Sequence, residues 1–525
     1  MLVLIISITG CDTDKLHDLN INPQAVNEID LNFFFSSALL GAASGGATGD
    51  NRFIDWRTNM GQFGHAIQHL ANAGGGIASG DKYTDNFESN LGPWEWWYGG
   101  QLKLIEEIEK QTMEGNYAEG RYQNTLQASR IIRAWTFHKL TDYYGSIPYD
   151  EANQGIEGIF FPAYQSQKYV YEQALAELED AASKISTSNL DDGFAQADFS
   201  FNGDISKWKK FAYSVMLRMG MRVSNVDPAM ANTWVGKAIA GGVMQSNDDN
   251  LWIPTSLGPS EWANQNGISR AYWPGDGGQP GWLSKTLVDK LKGPDVGSVA
   301  DDDPRLMIFS GGIALWTAIS WTVLDGDPLN QKGMPNGLDH PDLEAIEGGP
   351  IIQDETYSRI NILLLDDDEP YQLMNYAEVE FLLAEAIERG IGGASGSAKD
   401  HYEDGVRAAM QQYTTYDASL TVSDAEVDAY LAVYPYGTSK PALEMIYDQL
   451  WINCFFNWWE GFSNWRRTGF PALVPTNHPS SVTGGQIPRR LLYPNSEIAT
   501  NFENMSAGTS PNDYLTRVWW DGGAE

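Results

Sequence analysis

Trp262, Tyr272, Trp273 and Trp282 stand within a short polar stretch, SEWANQNGISRAYWPGDGGQPGW, interleaved with Asn264, Gln265, Asn266 and Asp276. That mixture suits one kind of chemistry. A flat indole or phenol packs on the apolar face of a pyranose ring, while amides and carboxylates exchange hydrogen bonds with its hydroxyls. Trp316 and Trp321 follow in the same region, and Tyr83 and Phe87 stand in a glycine-rich stretch upstream. An aromatic that stacks on a ligand must be exposed, and Trp is on average highly buried, so core packing competes with stacking at each position. Helix-periodic Trp residues belong to the core: Trp97, Trp135 and Trp208 share apolar faces with neighbours three, four and seven positions away.

Other reactive groups point to less. His65 and His69 are spaced as on one helical face, but Ala66 stands where a zincin needs Glu, so an incidental pair is expected. Asp301-Asp302-Asp303 and Asp366-Asp367-Asp368-Glu369 offer oxygen ligands for Ca²⁺. They lack the alternating spacing and glycine of an EF-hand loop, and solvated acidic loops are expected, with no cofactor and no metal site. No G-x-S-x-G, Walker A or dinucleotide-binding glycine pattern occurs. Cys454 stands among aromatics without a nearby base and reads as a small buried hydrophobe.

Cys11 is a different matter. The apolar run Leu2 to Ile8 leads through Thr9-Gly10 into Cys11 and then polar sequence. This is the pattern of a bacterial lipoprotein signal, with residues 1–10 removed and Cys11 carrying lipid. No Lys or Arg precedes Cys11, a departure from such signals. The run is far shorter than the ~20 residues a bilayer span needs.

The elements that position these groups are mostly helical. Among 525 residues, 42% are hydrophobic, normal for a globular core. Helices are expected from Leu31 to Ala43, from Pro93 through Ile108, over 118–142, from near Tyr164, from near Asp204, from Tyr371, over 397–413, near 424–433 and over 441–465. Residues 71–92 read as loop, and the tail 466–525 as irregular. From about 245 to 370 helical periodicity gives way to Gly, Pro, Trp and Asp with short apolar runs, too long for a simple connector. Paired helices of this length suggest a tetratricopeptide-like stack. The formal charge of −35 argues against nucleic acid and disfavours polyanionic ligands, leaving neutral ones.

Six segments stand in order: Leu140 to Ala152 (LTDYYGSIPYDEA), Asp204 to Arg222 (DISKWKKFAYSVMLRMGMR), Asp303-Pro304-Arg305-Leu306, Met374 to Gly390 (MNYAEVEFLLAEAIERG), Asn464 to Pro471 (NWRRTGFP) and Ile487 to Leu491 with Tyr493-Pro494 and Glu497 to Asn504. Together they resemble the SusD/RagB family, the surface glycan-binding lipoproteins of Bacteroidetes. Gly333-Met334-Pro335-Asn336-Gly337 is similar to the GxPNG element of a SusD-like subgroup.

The resemblance implies a mainly α fold of four tetratricopeptide-like helix pairs, at about 93–142, 164–225, 371–413 and 424–465, in a single body over 31–525 that follows a lipidated tether, 11–30. A large insertion of loops and short strands, about 245–370, would carry the ligand face. It implies a lipid-anchored, non-catalytic protein on the outer-membrane exterior. That protein would bind a poly- or oligosaccharide and pass it to a SusC-like TonB-dependent transporter; the acidic charge points to a neutral glycan, such as a β-glucan. The glycan-binding set would be Trp262, Tyr272, Trp273, Trp282, Trp316, Trp321, Tyr83, Asn264, Asn266 and Asp276. Two other readings stay open: a structural lid of the transporter without strong glycan affinity, and a glycoside hydrolase. Hydrolysis would need two carboxyls about 5–9.5 Å apart across a cleft, which 69 Asp and Glu neither supply nor deny. Trp465-Arg466-Arg467 is expected to pair with carboxylates inside the stack.

Overall fold

The computed structural model describes residues 28–44, 52–74, 78–190, 192–272, 281–295, 297–317 and 320–524. Cys11, Trp273 and Asp276 lie outside the described residues.

The fold is mainly helical, with small sheets. Its long helices start where a short polar side chain can take up free backbone N–H groups. Asp204 caps Ile205–Arg222 by accepting from the N–H groups of Ser206 and Lys207, and Ser166 caps Gln167–Lys184. Asn375 caps Tyr376–Arg389, and Ser423 with Glu426 forms a capping box on Asp424–Val433. Gln123–Tyr144 ends at Gly145, whose φ of 83° only glycine adopts cheaply. Helices pack as neighbours along the chain: Gln123–Tyr144 on Gln167–Lys184, Ile205–Arg222 on Pro228–Gly241, and Tyr376–Arg389 on Ala398–Gln411 and on Ala442–Asn453. The first of these contacts crosses the expected boundary between the 93–142 and 164–225 pairs, so the helices form a running stack.

Three expected boundaries move. The helix expected from Pro93 starts at Phe87, capped by Asn86, with Pro93 inside it; it passes through a π-helical turn, Trp97–Leu102, into Lys103–Thr112. Tyr371–Met374 is not helical but a strand antiparallel to Leu251–Ile253. The helix expected over 441–465 is broken: Ala442–Asn453 ends, Phe456 takes a positive φ of 71°, and Trp458–Thr468 begins on a new axis. The run Trp451 to Trp459 is apolar-aromatic except for Asn453 and Asn457, and this hides the break from sequence.

The insertion supplies four strands of an antiparallel five-stranded sheet, in the order Leu70–Ala71, Trp282–Leu283, Ser358–Ile360, Ser310–Thr317, Ser320–Asp325, whose first strand comes from upstream. A small apolar cluster of Ala71, Ala73, Trp282, Met334, Leu343 and Tyr357 fills its underside. Gly333 is needed there because a Cβ would sit 2.3 Å from the Ser284 carbonyl oxygen.

The main core is one continuous apolar cluster containing Trp97, Trp135, Trp208, Trp451 and Trp458. Buried charges thread it. Glu460 receives Lys139 Nζ at 2.5 Å and the Arg222 guanidinium, and Asp142 accepts from Tyr171 and from Trp520 Nε1 at 2.8 Å. Burial works to raise the Glu460 carboxyl, but Arg218, Arg222 and Lys139 outweigh it and hold it well below the carboxylate range. Arg467 grips Glu385 with bonds of 2.5 and 2.7 Å, and Arg466 donates to the Arg489 carbonyl at 2.8 Å, so these arginines serve the stack.

Candidate glycan-binding site

Half-buried aromatics and several arginines lie where a π-helix packs on other helices. The π-helix, Arg52–Gly64, supplies Arg52, Phe53, Trp56 and Arg57. The helix Phe87–Trp96 supplies Glu88 and Trp96, and two short helices, Glu261–Asn264 and Gly267–Tyr272, supply Trp262 and Arg270. Phe53 and Trp96 lie 5.1 Å apart between ring centroids at 32°, and the Arg57 guanidinium sits 4.4 Å over Phe53 while bonding Glu88 at 3.1 Å. Arg52 and Arg270 sit over the Trp262 ring at 4.3 and 3.9 Å.

Local packing fixes this strip. Thr58 Oγ1 donates to the Ser89 carbonyl at 2.8 Å, and Ser89 Oγ to the Arg57 carbonyl at 2.8 Å, stapling the π-helix to Phe87–Trp96. Gly92 permits the approach, since a Cβ there would lie 2.5 Å from the Phe53 carbonyl oxygen. Chemically the strip offers half-buried aromatic rings that can pack on a sugar ring, held in place by guanidiniums stacked on them. Its carboxylates are occupied: Glu88 pairs with Arg57, and Glu261 with Arg270 at 3.6 Å.

The residues chosen from sequence are scattered. Trp262 joins the strip, half-buried and with guanidiniums over its ring rather than an open face. Asn264 and Asn266, beside it, serve the backbone. Asn264 Oδ1 accepts from Ser260 N–H, and Asn266 Oδ1 accepts from the N–H groups of Ile268 and Ser269, capping Gly267–Tyr272, while its Nδ2 donates to the Glu369 carbonyl. Tyr272 is buried, and its hydroxyl has no partner among the described residues. Trp282 is 9% exposed and lies under Arg359 at 4.3 Å. Tyr83 is 1% exposed, its hydroxyl accepting from Thr476 N–H at 3.2 Å. It is a core residue because Asp81 and Tyr83 pack against residues 476–482 instead of looping out. Trp316 and Trp321 face each other across the outer hairpin of the sheet, half-buried, with ring centroids 5.8 Å apart. Phe87 is 63% exposed at the first turn of its helix.

Sequence reasoning missed Phe53, Trp56, Arg52, Arg57 and Trp96. A signal existed for Trp96: it precedes Trp97, the core residue, by one position, and so falls off the buried face. For the π-helix there was none, because its residues do not recur at a 3.6-residue period.

The histidine pair does not share a helix face. Gln68 takes a φ of 60°, His65 Nδ1 lies 3.0 Å from the Met60 carbonyl, and His69 Nδ1 accepts from Trp458 Nε1 at 3.1 Å. Asp303 is committed to Arg305, and Asp302 accepts from Gly293 N–H. Among the described residues no group of three or more His, Cys, Asp or Glu is arranged to hold a metal ion. No described helix is long and apolar enough to cross a membrane.

This helical stack with a sheet-bearing insertion is the architecture of a known class. Residues 23–494 match the SusD-like family, described as starch-binding and associating with the outer membrane, and the chain belongs to that family. Solved structures agree over nearly the full length. A chitin-binding protein is 30% identical with a TM-score of 0.77, covering 94% of this chain and 100% of that one. A Bacteroidetes AC2a SusD-like protein is 25% identical with a TM-score of 0.80, covering 94% and 100%. A chitin-binding SusD homolog from Flavobacterium johnsoniae is 23% identical with a TM-score of 0.71, covering 94% and 99%. No curated protein sequence matches the chain.

Proposed function

We propose that this protein captures a neutral poly- or oligosaccharide at the outer surface of the cell without breaking a bond, and passes it to a SusC-like TonB-dependent transporter. Lipid on Cys11 would hold it at the outer membrane. Membership of a family described as starch-binding, over residues 23–494, carries the reading. The strip of Phe53, Trp96 and Trp262 with its arginines supports it. The net charge of −35 disfavours a polyanionic ligand, and Arg57 and Arg270 in the strip are paired with Glu88 and Glu261. Among neutral glycans, chitin oligomers come first for testing, because the 30% identical protein is chitin-binding; β-glucans such as laminarin come next.

The test is affinity gel electrophoresis of the chain from Asp12 against soluble chitin derivatives, laminarin, starch, xylan and mannan, with reducing-sugar release followed in parallel. Retardation by a neutral glycan, weakened by Trp96→Ala and unchanged by Phe160→Ala at an exposed loop position, supports capture at the strip. Reducing-sugar release would favour a hydrolase. Absence of binding to every glycan, with a transporter still co-purifying, would favour a structural lid.

A further inference from the structure

The strip is assembled from chain segments more than two hundred residues apart, and one buried carboxylate joins them. Asp55 lies on the π-helix between Phe53 and Arg57, 1% exposed. Its Oδ2 accepts from Ile268 N–H at 3.0 Å, across a separation of 213 residues. Its other partners are the Tyr371 hydroxyl, which itself accepts from Gly267 N–H at 2.6 Å, and Asn59 Nδ2 at 3.5 Å. Asp55 thus sits at the start of Gly267–Tyr272, the helix that carries Arg270 against Trp262. On the other side it belongs to the helix that carries Arg52 against the same ring. A cavity of about 20 Å³, lined by Asp55, Asn59, Asn266, Ser269 and Tyr371 among others, adjoins the carboxylate and has room for one water.

We infer that Asp55 is a positioning residue: its buried carboxyl, an acceptor for Ile268, Tyr371 and Asn59, latches the π-helix to Gly267–Tyr272 and sets the two halves of the glycan strip against each other. Ionised Asp is acceptor-only, and donors converge on it. A proton on it turns one oxygen into a donor that the adjoining cavity can accommodate with one water, whereas the ionised form leaves a charge buried, which weakens the latch. Burial pushes the carboxyl up to about 7, against the opposing hydrogen bonds from Tyr371, Asn59, Ile268 and Gly267. The change of state therefore falls in the neutral range.

The ionisable groups facing Asp55 are tyrosines: Tyr371 from its strand, Tyr272 from the short helix and Tyr416 from the 412–417 turn. Charged side chains on the packed elements are engaged elsewhere. Arg52 and Arg270 lie on Trp262, Arg57 on Phe53 and Glu88, and Glu460 in the buried network. Glu369 titrates near by, pushed up to about 8 by burial and by Asp366, Asp368 and Asp417, so a variant must separate it from Asp55.

The inference rests on the strip being the glycan site, and two readouts keep the failures apart. The first is chitohexaose and laminarin affinity from pH 5.5 to 8.5. The second is hydrogen exchange of the 261–272 segment over the same range, corrected for intrinsic rates, which needs no glycan. In the wild type, affinity is expected to fall about threefold or more above pH 7, with faster exchange of 261–272, because opening lets the buried carboxylate ionise in water. Asp55→Asn keeps an acceptor for Ile268 and should flatten both profiles. Tyr371→Phe removes a hydrogen bond to the carboxylate and should move the midpoint upward. Flat wild-type exchange, or a wild-type profile in Asp55→Asn, overturns the latch. An exchange transition in the absence of binding to either glycan supports the latch and defeats the glycan reading instead.

Discussion

Arg218 holds Glu378 with two bonds, Nε to Oε1 at 2.6 Å and Nη2 to Oε2 at 2.7 Å, both side chains almost wholly buried. The pair bolts Ile205–Arg222 to Tyr376–Arg389, helices separated by the whole ligand-face insertion. Arg218 donates in addition to the Leu373 carbonyl, fixing the strand that precedes the second helix. Removing one partner leaves a buried charge unpaired, which costs about 3–5 kcal/mol. Arg218→Leu should therefore lower the urea midpoint strongly, and the double variant Arg218→Leu/Glu378→Leu should recover much of the loss. A single variant with an unchanged midpoint would contradict the pair's role.

The strip predicts where aromatic truncation matters. Trp96→Ala and Phe53→Ala should each weaken glycan retention by about tenfold, ~1.4 kcal/mol, as for a well-packed aromatic anchor. Thermal unfolding should move little, since both rings are only half-buried. Trp282→Ala should do the reverse, lowering stability by way of the sheet cluster while leaving any affinity intact. Calorimetric titration beside a melting curve for each variant separates the two outcomes.

The folded-state pKa of Asp55, about 7, lies above its ordinary value of 3.8. A raised carboxyl means the native state binds the proton more tightly than the unfolded chain. Its contribution to stability is therefore greatest below pH 3.8, declines as pH rises through the interval to about 7, and is flat above. Asp55→Asn should gain stability over wild type at pH 8 relative to pH 5. Denaturant midpoints of both proteins across that range give the difference directly, and equal differences at the two pH values would count against the shift.

Gly333 and Gly337 explain why the Gly333-Met334-Pro335-Asn336-Gly337 element keeps its glycines. A Cβ at Gly333 meets the Ser284 backbone at 2.3 Å, and Gly337 takes a φ of 72° with Thr476 against it. Gly333→Ala should cost about 1–3 kcal/mol, as overpacking does. Gly99→Ala, in open space, serves as the control. A chemical denaturation series that ranks the two variants equally would show that the close approach relaxes.

Cys454 is buried, and burial pushes its thiol well above the ordinary range. The chain from Asp12 should be silent to a thiol reagent at pH 8 until denaturant is added, then react once per chain. Rapid native labelling would place Cys454 at the surface.

Much of the helical frame was legible from residues alone. Asp204, Ser166 and Ser423 mark helix starts by their side-chain oxygens, and Trp97, Trp135 and Trp208 declare the core by period; these are local facts of hydrogen bonding and burial, complete within a few turns. The ordered segments from Leu140 to Asn504 carried the family, because close packing dictates residue type at many positions at once. What the sequence could not settle was which aromatics face solvent. Trp282 and Tyr83 look like loop residues in sequence yet are inside, because a strand added to Ser358–Ile360 and a turn folded against residues 476–482 cover them. Phe53 and Trp96 are half-exposed because Thr58 and Ser89 staple their helices edge to edge. Exposure belongs to the assembled surface: it depends on partners up to hundreds of positions away, such as Ile268 for Asp55, and no local spacing encodes them.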